Sequence, residues 1–337
     1  MNHETLHNLI DEKQKNICQI VIMHHGKLIY SDTWNGYWKD DSVHIASATK
    51  SVTAILVGIA IDKGIIESVE QNILDFFPEY QLKRGEKTLE HVKIKHLLSM
   101  TTPYKFKSEP WTKVCMSDDW AKTALDLMGG KSGLTNTFQY TSLGIQVISE
   151  IITRKSNMSM LQFANQYLFK PLQIDERIGY SVHNKEEHID FVTRKKPQNK
   201  CWFTDVKGNA TVGFGLCLSA EEMAKIGQLC LNFGEYNGIR IVSGKWIEQL
   251  LMVHALPGQK YHNMKYGYFW WIINEDEKIY SAIGDSGNVI YLDMKRKIVV
   301  TTTSTFKPAV FDRVEFIQNE IIPQLYLLSH NVNIVVT

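Results

Sequence analysis

One stretch of the sequence constrains the fold more than any other: residues 47–63, which carry a helical pattern and are apolar on nearly all sides. Apolar residues recur there at spacings of three and four, as they do along one face of a helix; they are Val52, Ile55, Leu56, Ile59 and Ala60. Gly64 follows at the position where glycine commonly ends a helix. Because such a helix has almost no face for water, we expect it to lie at the centre of the core.

The composition is that of a folded chain without a strong field of one sign. Its 337 residues suggest about two domains, or one large domain with an insertion. The formal charge of +1 makes a nucleic-acid partner unexpected. The most apolar run, residues 52–61, is far shorter than the ~20 residues that cross a bilayer. The N-terminus also lacks a signal-peptide pattern, so we expect a cytoplasmic protein with no membrane partner.

The cysteines point away from disulfide and zinc chemistry. They are odd in number and include no C-x-x-C pair, so neither a disulfide framework nor a zinc site is indicated. The five residues are Cys18, Cys115, Cys201, Cys217 and Cys230. We expect most of them to be buried thiols.

Strand patterns concentrate near the two ends of the chain, and helical patterns fill its middle. Residues 18–34 predict a β-hairpin that turns around Gly26. The other strand patterns cover residues 266–274, 278–283, 289–294 and 298–303. The other helical patterns cover residues 92–100, 118–128, 142–154, 160–169 and about 310–328.

This order of elements predicts an α+β (mixed α/β) fold. An antiparallel β-sheet flanked by helices is built from both termini, and an all-helical domain is inserted between them. The predicted sheet domain is discontinuous and covers residues 1–80 and 210–337, whereas the mostly helical domain covers residues 81–209. A cleft between the two parts is a natural place for a ligand.

Ser47 and Lys50 form the first candidate for chemistry. Residues three apart lie on one face of a helix, so the Lys50 amine can reach the Ser47 hydroxyl. The helix N-terminus favours a developing alkoxide, and burial favours the neutral amine that can take the serine proton. The alternative is a serine that caps the helix beside an exposed lysine. Ser304 and Lys307 repeat the spacing, but Pro308 follows them, so no helix should align that pair.

Tyr140 is the second candidate, just before the helical pattern that begins at Ser142. A lysine ammonium nearby would favour the phenolate, which would make Tyr140 a general base or a proton relay. The alternative is a half-buried aromatic residue at the start of a helix. Tyr261 and Asn263 form a competing Y-x-[SN] pair, but they come too late in the chain, just before the predicted strands.

The third candidate is the glycine-rich turn over residues 282–288, between two predicted strands. Glycine at the end of a strand lets the backbone approach a substrate closely. The backbone N–H of Asp285, next to Gly284, could therefore pair with the N–H of Ser47 as an oxyanion hole. The alternative is an ordinary hairpin turn.

In this order, the three elements resemble a family of serine hydrolases that includes class C β-lactamases, penicillin-recognising D,D-peptidases and related esterases. The nucleophile motif of that family, S-x-x-K, is matched by Ser47 and Lys50. The similarity covers about residues 18–305. It includes the segments HIASATKSVT (44–53), ILDFFPEY (73–80), IKHLLSMT (94–101), FQYTS (138–142), FKPL (169–172) and GFGL (213–216).

The resemblance implies a role for each candidate residue. Ser47 corresponds to the acylated nucleophile and Lys50 to its base partner. Tyr140 corresponds to the second proton-transfer residue and Ser142 to a polar neighbour. The implied reaction acylates Ser47 with a small-molecule substrate, and water then hydrolyses the acyl-enzyme without a metal or organic cofactor. The implied fold is a mixed α/β domain from both termini plus an all-helical domain.

The third motif departs from the pattern of the penicillin-recognising members. Their motif is usually Lys-Thr-Gly or a His-containing equivalent, whose cation attracts the substrate carboxylate, whereas this chain has Ala282. The segments 131–133 (KSG) and 24–26 (HHG) lie outside the expected strand. The Ala-x-Gly form is more similar to the esterase and 6-aminohexanoate-dimer hydrolase branch of the family.

The sequence leaves three hypotheses for the function. The first is a serine hydrolase that cleaves small esters or amides through an acyl-Ser47 intermediate. The second is a penicillin-recognising β-lactamase or D,D-peptidase, against which Ala282 weighs. The third is a catalytically weak binding or scaffold protein, against which the intact candidate residues weigh. Aromatic residues that could line a pocket, although such residues are more often core, are Trp111, Trp120, Trp202, Phe203, Trp270 and Trp271.

Overall fold

A computed structural model describes residues 3–131, 133–182, 184–310 and 313–325 of the chain. The helices are α1 (His3–Lys13), α2 (Ala48–Asp62), α3 (Ile94–Leu98), α4 (Trp111–Cys115), α5 (Trp120–Leu127), α6 (Val147–Ser156), α7 (Met160–Ala164), α8 (Lys185–Thr193), α9 (Ala220–Leu231), α10 (Gly244–Leu251) and α11 (Val314–Phe316). Single π-helical turns follow α7 at Asn165–Phe169 and α11 at Ile317–Ile321. Short 3₁₀ turns lie at Ile73–Phe76, Leu89–His91, Gly144–Gln146, Gln259–Tyr261 and Asp285–Gly287.

The strands divide between one large sheet and several two-stranded pairs. They are β1 (Ile17–His24), β2 (Lys27–Thr33), β3 (Val43–His44), β4 (Ile178–Tyr180), β5 (Cys201–Phe203), β6 (Cys217–Leu218), β7 (Glu235–Tyr236), β8 (Ile239–Arg240), β9 (Lys265–Tyr266), β10 (Trp271–Asn274), β11 (Ile279–Gly284), β12 (Asn288–Asp293) and β13 (Ile298–Ser304). The two-stranded pairs are β3 with β6, β4 with β5, and β7 with β8.

The large sheet joins the two ends of the chain. Its seven strands follow the order β2-β1-β13-β12-β11-β10-β9, and each neighbouring pair is antiparallel. Strand β1 pairs with β13 from Ile17 opposite Ser304 to His24 opposite Ile298. The predicted α+β fold, with an antiparallel sheet built from both termini, is therefore confirmed, as is the hairpin of β1 and β2.

Both faces of β1 are covered by helices. Successive side chains of a strand point to opposite faces, and Val21 packs with Ala220 and Ala224 of α9. Ile20, on the other face, belongs to the large core that also contains Ile10 of α1. The strand is buried along most of its length, which explains its nearly continuous apolar sequence.

Helix α2 lies at the centre of the core, as its all-round apolar pattern predicts. Its residues 48–60 are all buried. Helix α10 packs against it at Gly58, where a β-carbon would come within 2.0 Å of the Trp246 ring. The Trp246 indole N–H donates to the Ala54 carbonyl at 3.0 Å. The burial of α2 and its packing against α10 therefore fix the position of the helix start, where Ser47 and Lys50 lie.

The predicted strand over residues 266–274 is wrong in its extent. The segment is split into β9 and β10, which pair antiparallel with Tyr266 opposite Trp271. The chain reverses between them at Phe269, whose φ is 60° and whose N–H donates to the Leu98 carbonyl at 3.0 Å. The turn is as buried and as apolar as the strands, so its composition does not reveal it.

The middle of the chain is mostly helical, with β4 and β5 as short strands within it. Helices α3, α5, α6 and α7 share one large apolar core with the sheet, whereas α4 and α8 bury Val114 and Phe191 in a second cluster. The division at residues 80 and 210 stays a prediction. Of the last helix predicted over 310–328, α11 and the π-helical turn lie inside the described residues; positions 311, 312 and 326–328 lie outside them. No helix within the described ranges is long and apolar enough to cross a membrane.

Candidate active site

Ser47 lies between β3 and α2, at the N-terminal end of the central helix. Ala46 before it has a φ of 48°, a left-handed conformation that costs energy for any residue except glycine. The Ser47 side chain makes no capping hydrogen bond to the helix, so the alternative of a capping serine does not hold. The Ser47 hydroxyl instead accepts a hydrogen bond from Lys50 Nζ at 3.0 Å.

Lys50 is 1% exposed, so the alternative of an exposed lysine is wrong. Its Nζ donates to Ser47 Oγ and Ser142 Oγ, both at 3.0 Å, and to the Gly213 carbonyl at 2.7 Å. Three neutral acceptors thus match the three N–H groups of an ammonium. Among the described residues, no carboxylate forms an ion pair with this amine. Burial lowers the pKa of Lys50 from its ordinary 10.5 to about 8.

The glycine-rich segment over residues 213–216 places the third acceptor of Lys50. A β-carbon at Gly213 would lie 2.4 Å from the Ser142 carbonyl oxygen, so only glycine fits against that turn. His44 Nε2 accepts the Gly215 N–H at 3.0 Å. Burial lowers the pKa of His44 to about 3, which keeps the ring neutral and able to accept. The resemblance highlighted this segment, and close backbone approach explains its glycines.

Tyr140 packs beside the amine of Lys50. The centre of its ring lies 4.7 Å from Lys50 Nζ, and its hydroxyl is hydrogen-bonded with Ser47. Burial raises the pKa of Tyr140 above its usual value, and this outweighs the opposing effect of the bond with Ser47. The argument that the lysine would favour the phenolate is therefore wrong in direction. Tyr140 is a protonated hydroxyl that can relay a proton rather than a ready-made base.

Tyr261, the competing tyrosine, lies behind Tyr140. Its ring centre is 6.3 Å from that of Tyr140 and 5.3 Å from that of Trp271. Trp271 in turn stacks on Tyr140, with the ring planes 21° apart. Of the aromatic pocket candidates, Trp271 therefore borders the site, whereas Trp111 is exposed and packs against His188 and Phe214. The remaining candidates are buried core residues, namely Trp120, Trp202, Phe203 and Trp270.

The turn after β11 packs directly on the start of α2. A β-carbon at Gly284 would lie 2.2 Å from the Ile45 carbonyl oxygen and 3.1 Å from the Ala48 nitrogen. Among the described residues, the backbone N–H groups of Ser47 and Asp285 have no hydrogen-bond acceptor. The Asp285 side chain is exposed. The structure thus brings the predicted oxyanion turn beside Ser47, and Ala282 in the same strand is fully buried.

Glu109 contacts the site and was missed in the sequence. It accepts hydrogen bonds from the Thr141 hydroxyl and from the backbone N–H groups of Ser142, at 2.5 Å, and Leu143, at 2.9 Å. Glu109 and Asp285 are the two carboxylates that act to raise the pKa of Lys50 against its burial. Glu109 lies in a loop some thirty positions before Ser142 and belongs to no recognised motif, so the sequence does not indicate its contact with the site.

The other candidate motifs lie elsewhere. Ser304 is buried at the end of β13, where its hydroxyl accepts from Arg313 at 2.7 Å, and Lys307 lies over the Phe306 ring. The pair is not brought together. Of the segment 131–133, Ser132 falls outside the described residues. Within the described ranges, no three His, Cys, Asp or Glu side chains are arranged to hold a metal ion.

Comparison with known proteins gives the same family that the motifs indicate. The model of the beta-lactamase family matches residues 6–320. The chain is 23% identical over 298 residues to a 6-aminohexanoate-dimer hydrolase of Paenarthrobacter ureafaciens, covering 80% of this chain and 68% of that protein.

Solved structures share the fold. A protein of Bacillus anthracis, provisionally assigned as a 6-aminohexanoate-dimer hydrolase, superposes with a TM-score of 0.74 at 19% identity and covers 96% of this chain and 82% of its own. A family VIII carboxylesterase superposes with a TM-score of 0.65 at 17% identity, over 91% and 90% of the two chains. The fold, the order of the motifs and the extent of the family match agree: the chain belongs to the beta-lactamase family.

Proposed function

We propose that this protein is a serine hydrolase that cleaves small esters or amides through an acyl-Ser47 intermediate. The observation that carries the proposal is the buried Lys50 amine, 3.0 Å from Ser47 Oγ and held only by neutral acceptors. A buried cation without a counter-ion costs folding energy, and its lowered pKa supplies the neutral amine that a serine nucleophile needs.

The proposed acylation starts with neutral Lys50. Its amine takes the Ser47 proton while Oγ attacks the carbonyl carbon of the substrate. The N–H groups of Ser47 and Asp285 stabilise the oxyanion of the tetrahedral intermediate. As the intermediate collapses, the proton on Lys50 passes through the Tyr140 hydroxyl to the leaving alcohol or amine. The product of this half-reaction is an ester between the acyl group and Ser47.

Deacylation reverses these roles with water as the nucleophile. Lys50, neutral again, accepts a proton from water, which attacks the acyl-Ser47 ester. The same oxyanion donors stabilise the second tetrahedral intermediate, and the Ser47 alkoxide leaves with the proton returned through Lys50. Water and substrate are therefore the only reactants that the cycle consumes.

The residue at position 282 supports the choice of substrate class. Ala282 stands where penicillin-recognising members usually carry a cation, and the charged groups that act on Lys50 are both carboxylates. Ester and amide cleavage is favoured over penicillin hydrolysis because a substrate carboxylate would meet no cation at this position. The relatives named as a carboxylesterase and a 6-aminohexanoate-dimer hydrolase support the same choice.

Intact-protein mass spectrometry tests the proposal. The protein is exposed separately to a fluorophosphonate, a short-chain p-nitrophenyl ester and a penicillin. We expect an adduct with the first two probes, its loss in Ser47→Ala, and no stable penicillin adduct. Ser243→Ala is the matched control, because Ser243 also stands at a helix N-terminus but caps it, accepting from the Trp246 N–H.

Each outcome separates the hypotheses. Labelling of the native chain and of Ser243→Ala, but not of Ser47→Ala, supports the proposed nucleophile. A stable penicilloyl adduct at Ser47 would move the protein to the penicillin-recognising group. Absence of every adduct from a folded native chain would contradict the serine-hydrolase proposal and favour a binding or scaffold role.

A further inference from the structure

The loop that precedes α4 reaches into the proposed catalytic centre through Glu109. One oxygen of its carboxylate, Oε1, accepts from Thr141 Oγ1, from the Ser142 N–H at 2.5 Å and from the Leu143 N–H at 2.9 Å. The other contacts of Thr141 are local: its hydroxyl accepts the Gly144 N–H at 3.0 Å. A single side chain thus accepts hydrogen bonds from three consecutive residues of the turn that carries Tyr140.

In the described part of the chain, the N–H groups of Ser142 and Leu143 have no acceptor other than Glu109. Residues 142 and 143 precede the 3₁₀ turn Gly144–Gln146, so their N–H groups have no partner one helical turn earlier. A carboxylate that accepts backbone N–H groups at such a position forms charge-assisted hydrogen bonds, which are stronger than neutral ones. Glu109 therefore acts as a cap supplied from a distant loop, and it constrains both neighbours of Thr141.

Those neighbours are the two residues that contact Lys50 from this side. Ser142 Oγ accepts from Lys50 Nζ at 3.0 Å, and the Tyr140 ring lies 4.7 Å from the same atom. Thr141 between them is completely buried and cannot face the substrate. Its hydrogen bond to Glu109 thus fixes the backbone from which Tyr140 and Ser142 project.

We propose that Glu109 is a positioning residue of the acylation reaction, which holds Tyr140 and Ser142 against Lys50 through the 141–143 backbone. The inference rests on the proposed serine-hydrolase function. It adds that the loop before α4 is part of the reaction machinery and not only a wall of the cleft. A displacement of about 1 Å in such a constellation is enough to lower a rate about a hundredfold.

Glu86 offers a matched control elsewhere in the molecule. Its carboxylate also accepts several backbone N–H groups: those of the nearby Thr88 at 3.0 Å and Leu89 at 3.3 Å, and that of the distant Gly130 at 3.1 Å; it also pairs with Lys105 at 2.9 Å. None of these residues contacts Lys50 in the described structure. Glu86→Ala therefore removes a carboxylate that likewise accepts three backbone N–H groups, but outside the proposed catalytic centre.

The experiment measures the acylation rate constant from the p-nitrophenol burst. The concentration of active sites is determined on a separate sample by titration with a fluorophosphonate. Measurements are made above pH 9, where Lys50 is mostly neutral. We expect Glu109→Ala to lower this constant about 30- to 100-fold and Glu109→Gln, which keeps an acceptor oxygen, to recover most of it. Glu86→Ala should leave the constant within about twofold of the native value.

A double-mutant cycle with Tyr140→Phe separates positioning from general destabilisation. If Glu109 acts by placing Tyr140, the two losses of rate will be strongly non-additive. The reason is that Tyr140→Phe removes a hydroxyl that Glu109→Ala has already misplaced. Additive losses would overturn the proposal, as would a Glu109→Ala rate equal to that of Glu86→Ala. Should Glu109→Ala not fold, Thr141→Val removes one of the three hydrogen bonds to Glu109, together with the acceptor of the Gly144 N–H, and should lower the same constant by a smaller factor. No loss there would equally overturn the proposal.

Failure of this inference differs from failure of the proposed function. A native chain that is never acylated at Ser47 contradicts both. A native chain that is acylated normally, with a Glu109→Ala variant that is acylated equally fast, contradicts only the role of Glu109.

Discussion

Among the described residues three cations are buried, Lys50, Arg177 and Arg313, and the first two are held in opposite ways. Arg177 is 2% exposed and pairs with the Glu222 carboxylate, while its other nitrogens donate to the carbonyls of Cys217 at 2.9 Å and Asp175 at 2.7 Å. Lys50 is as deeply buried, but it contacts two hydroxyls and one carbonyl and no carboxylate in the described structure.

Arg177 links two segments of the fold, whereas Lys50 contacts residues of the proposed catalytic site. Glu222 also accepts the Ser219 N–H at the start of α9, so the Arg177 pair fixes this helix against the segment before β4. No carboxylate among the described residues pairs directly with Lys50, and burial lowers its pKa to about 8 against the opposing effect of Glu109 and Asp285. A buried cation without a direct ion pair weakens the fold, and in the proposed mechanism its lowered pKa supplies the neutral amine for proton transfer.

Removal of the Lys50 amine should have the largest effect on activity. We expect Lys50→Met to lower kcat/KM for a p-nitrophenyl ester at least a thousandfold, because the proposed base and proton donor are both lost. A variant that keeps more than a tenth of the native activity would contradict the assigned role. Ser47→Ala, measured beside it, gives the background rate.

The same variant should be more stable than the native chain. The fall of the Lys50 pKa from 10.5 to about 8 corresponds to a cost of about 3 kcal/mol in the folded state at neutral pH. Methionine avoids this cost but leaves three acceptors without their donor, so we expect a net gain of about 1 to 2 kcal/mol in urea unfolding at pH 7.

The gain should depend on pH in a defined direction. The folded-state pKa of Lys50 lies below its unfolded-state value, so the native chain becomes more stable as the pH rises from about 8 to about 10.5. The cost of the buried charge is complete below pH 8 and absent above about pH 10.5. The advantage of Lys50→Met is therefore largest below pH 8 and shrinks between pH 8 and 10.5. An advantage that grows with pH would contradict the buried, unpaired amine.

Removal of the paired cation should have the opposite effect on stability. Arg177→Met leaves Glu222 with a poorly compensated charge, and we expect the free energy of unfolding to fall by about 3 to 5 kcal/mol. The folded fraction, counted by fluorophosphonate titration, should keep its native rate per active site. A second substitution, Glu222→Leu, should restore much of the stability, because it removes the stranded charge.

A smaller effect is expected from Asp285, whose exposed carboxylate acts on Lys50 from outside. The charged groups that raise the pKa of Lys50 are Glu109 and Asp285, so Asp285→Asn should move the ascending limb of the pH–rate profile to lower pH. We expect a shift of less than about one pH unit that shrinks in 0.5 M salt, since exposed charges are screened. A shift to higher pH would contradict the assigned direction.

The sequence predicted those parts of the molecule that depend on local pattern. The apolar period of residues 47–63 predicts the central helix, and the spacing of Ser47 and Lys50 places them on one face of it. Strand patterns at both ends predict the antiparallel sheet. Each of these features is encoded within a few consecutive turns of chain, which is why a single sequence reveals it.

The sequence could not predict contacts that join distant segments through single residues. Glu109 reaches Ser142 from a loop without a motif, and the buried reversal at Phe269 has the composition of a strand. The direction of the Tyr140 pKa was also missed, because proximity to a lysine is visible in the motif whereas burial is visible only in the fold. Packing, and not local propensity, decides all three.

The central claim is that neutral Lys50 deprotonates Ser47, and the pH dependence of acylation tests it most directly. The burst rate of p-nitrophenol release is measured from pH 5.5 to 10, in the native chain and in Lys50→Met. The account predicts that the native rate rises with an apparent pKa of about 8 and that this limb is absent from the residual rate of Lys50→Met. A native rate that is flat over this range, or a limb that persists in Lys50→Met, would contradict the account.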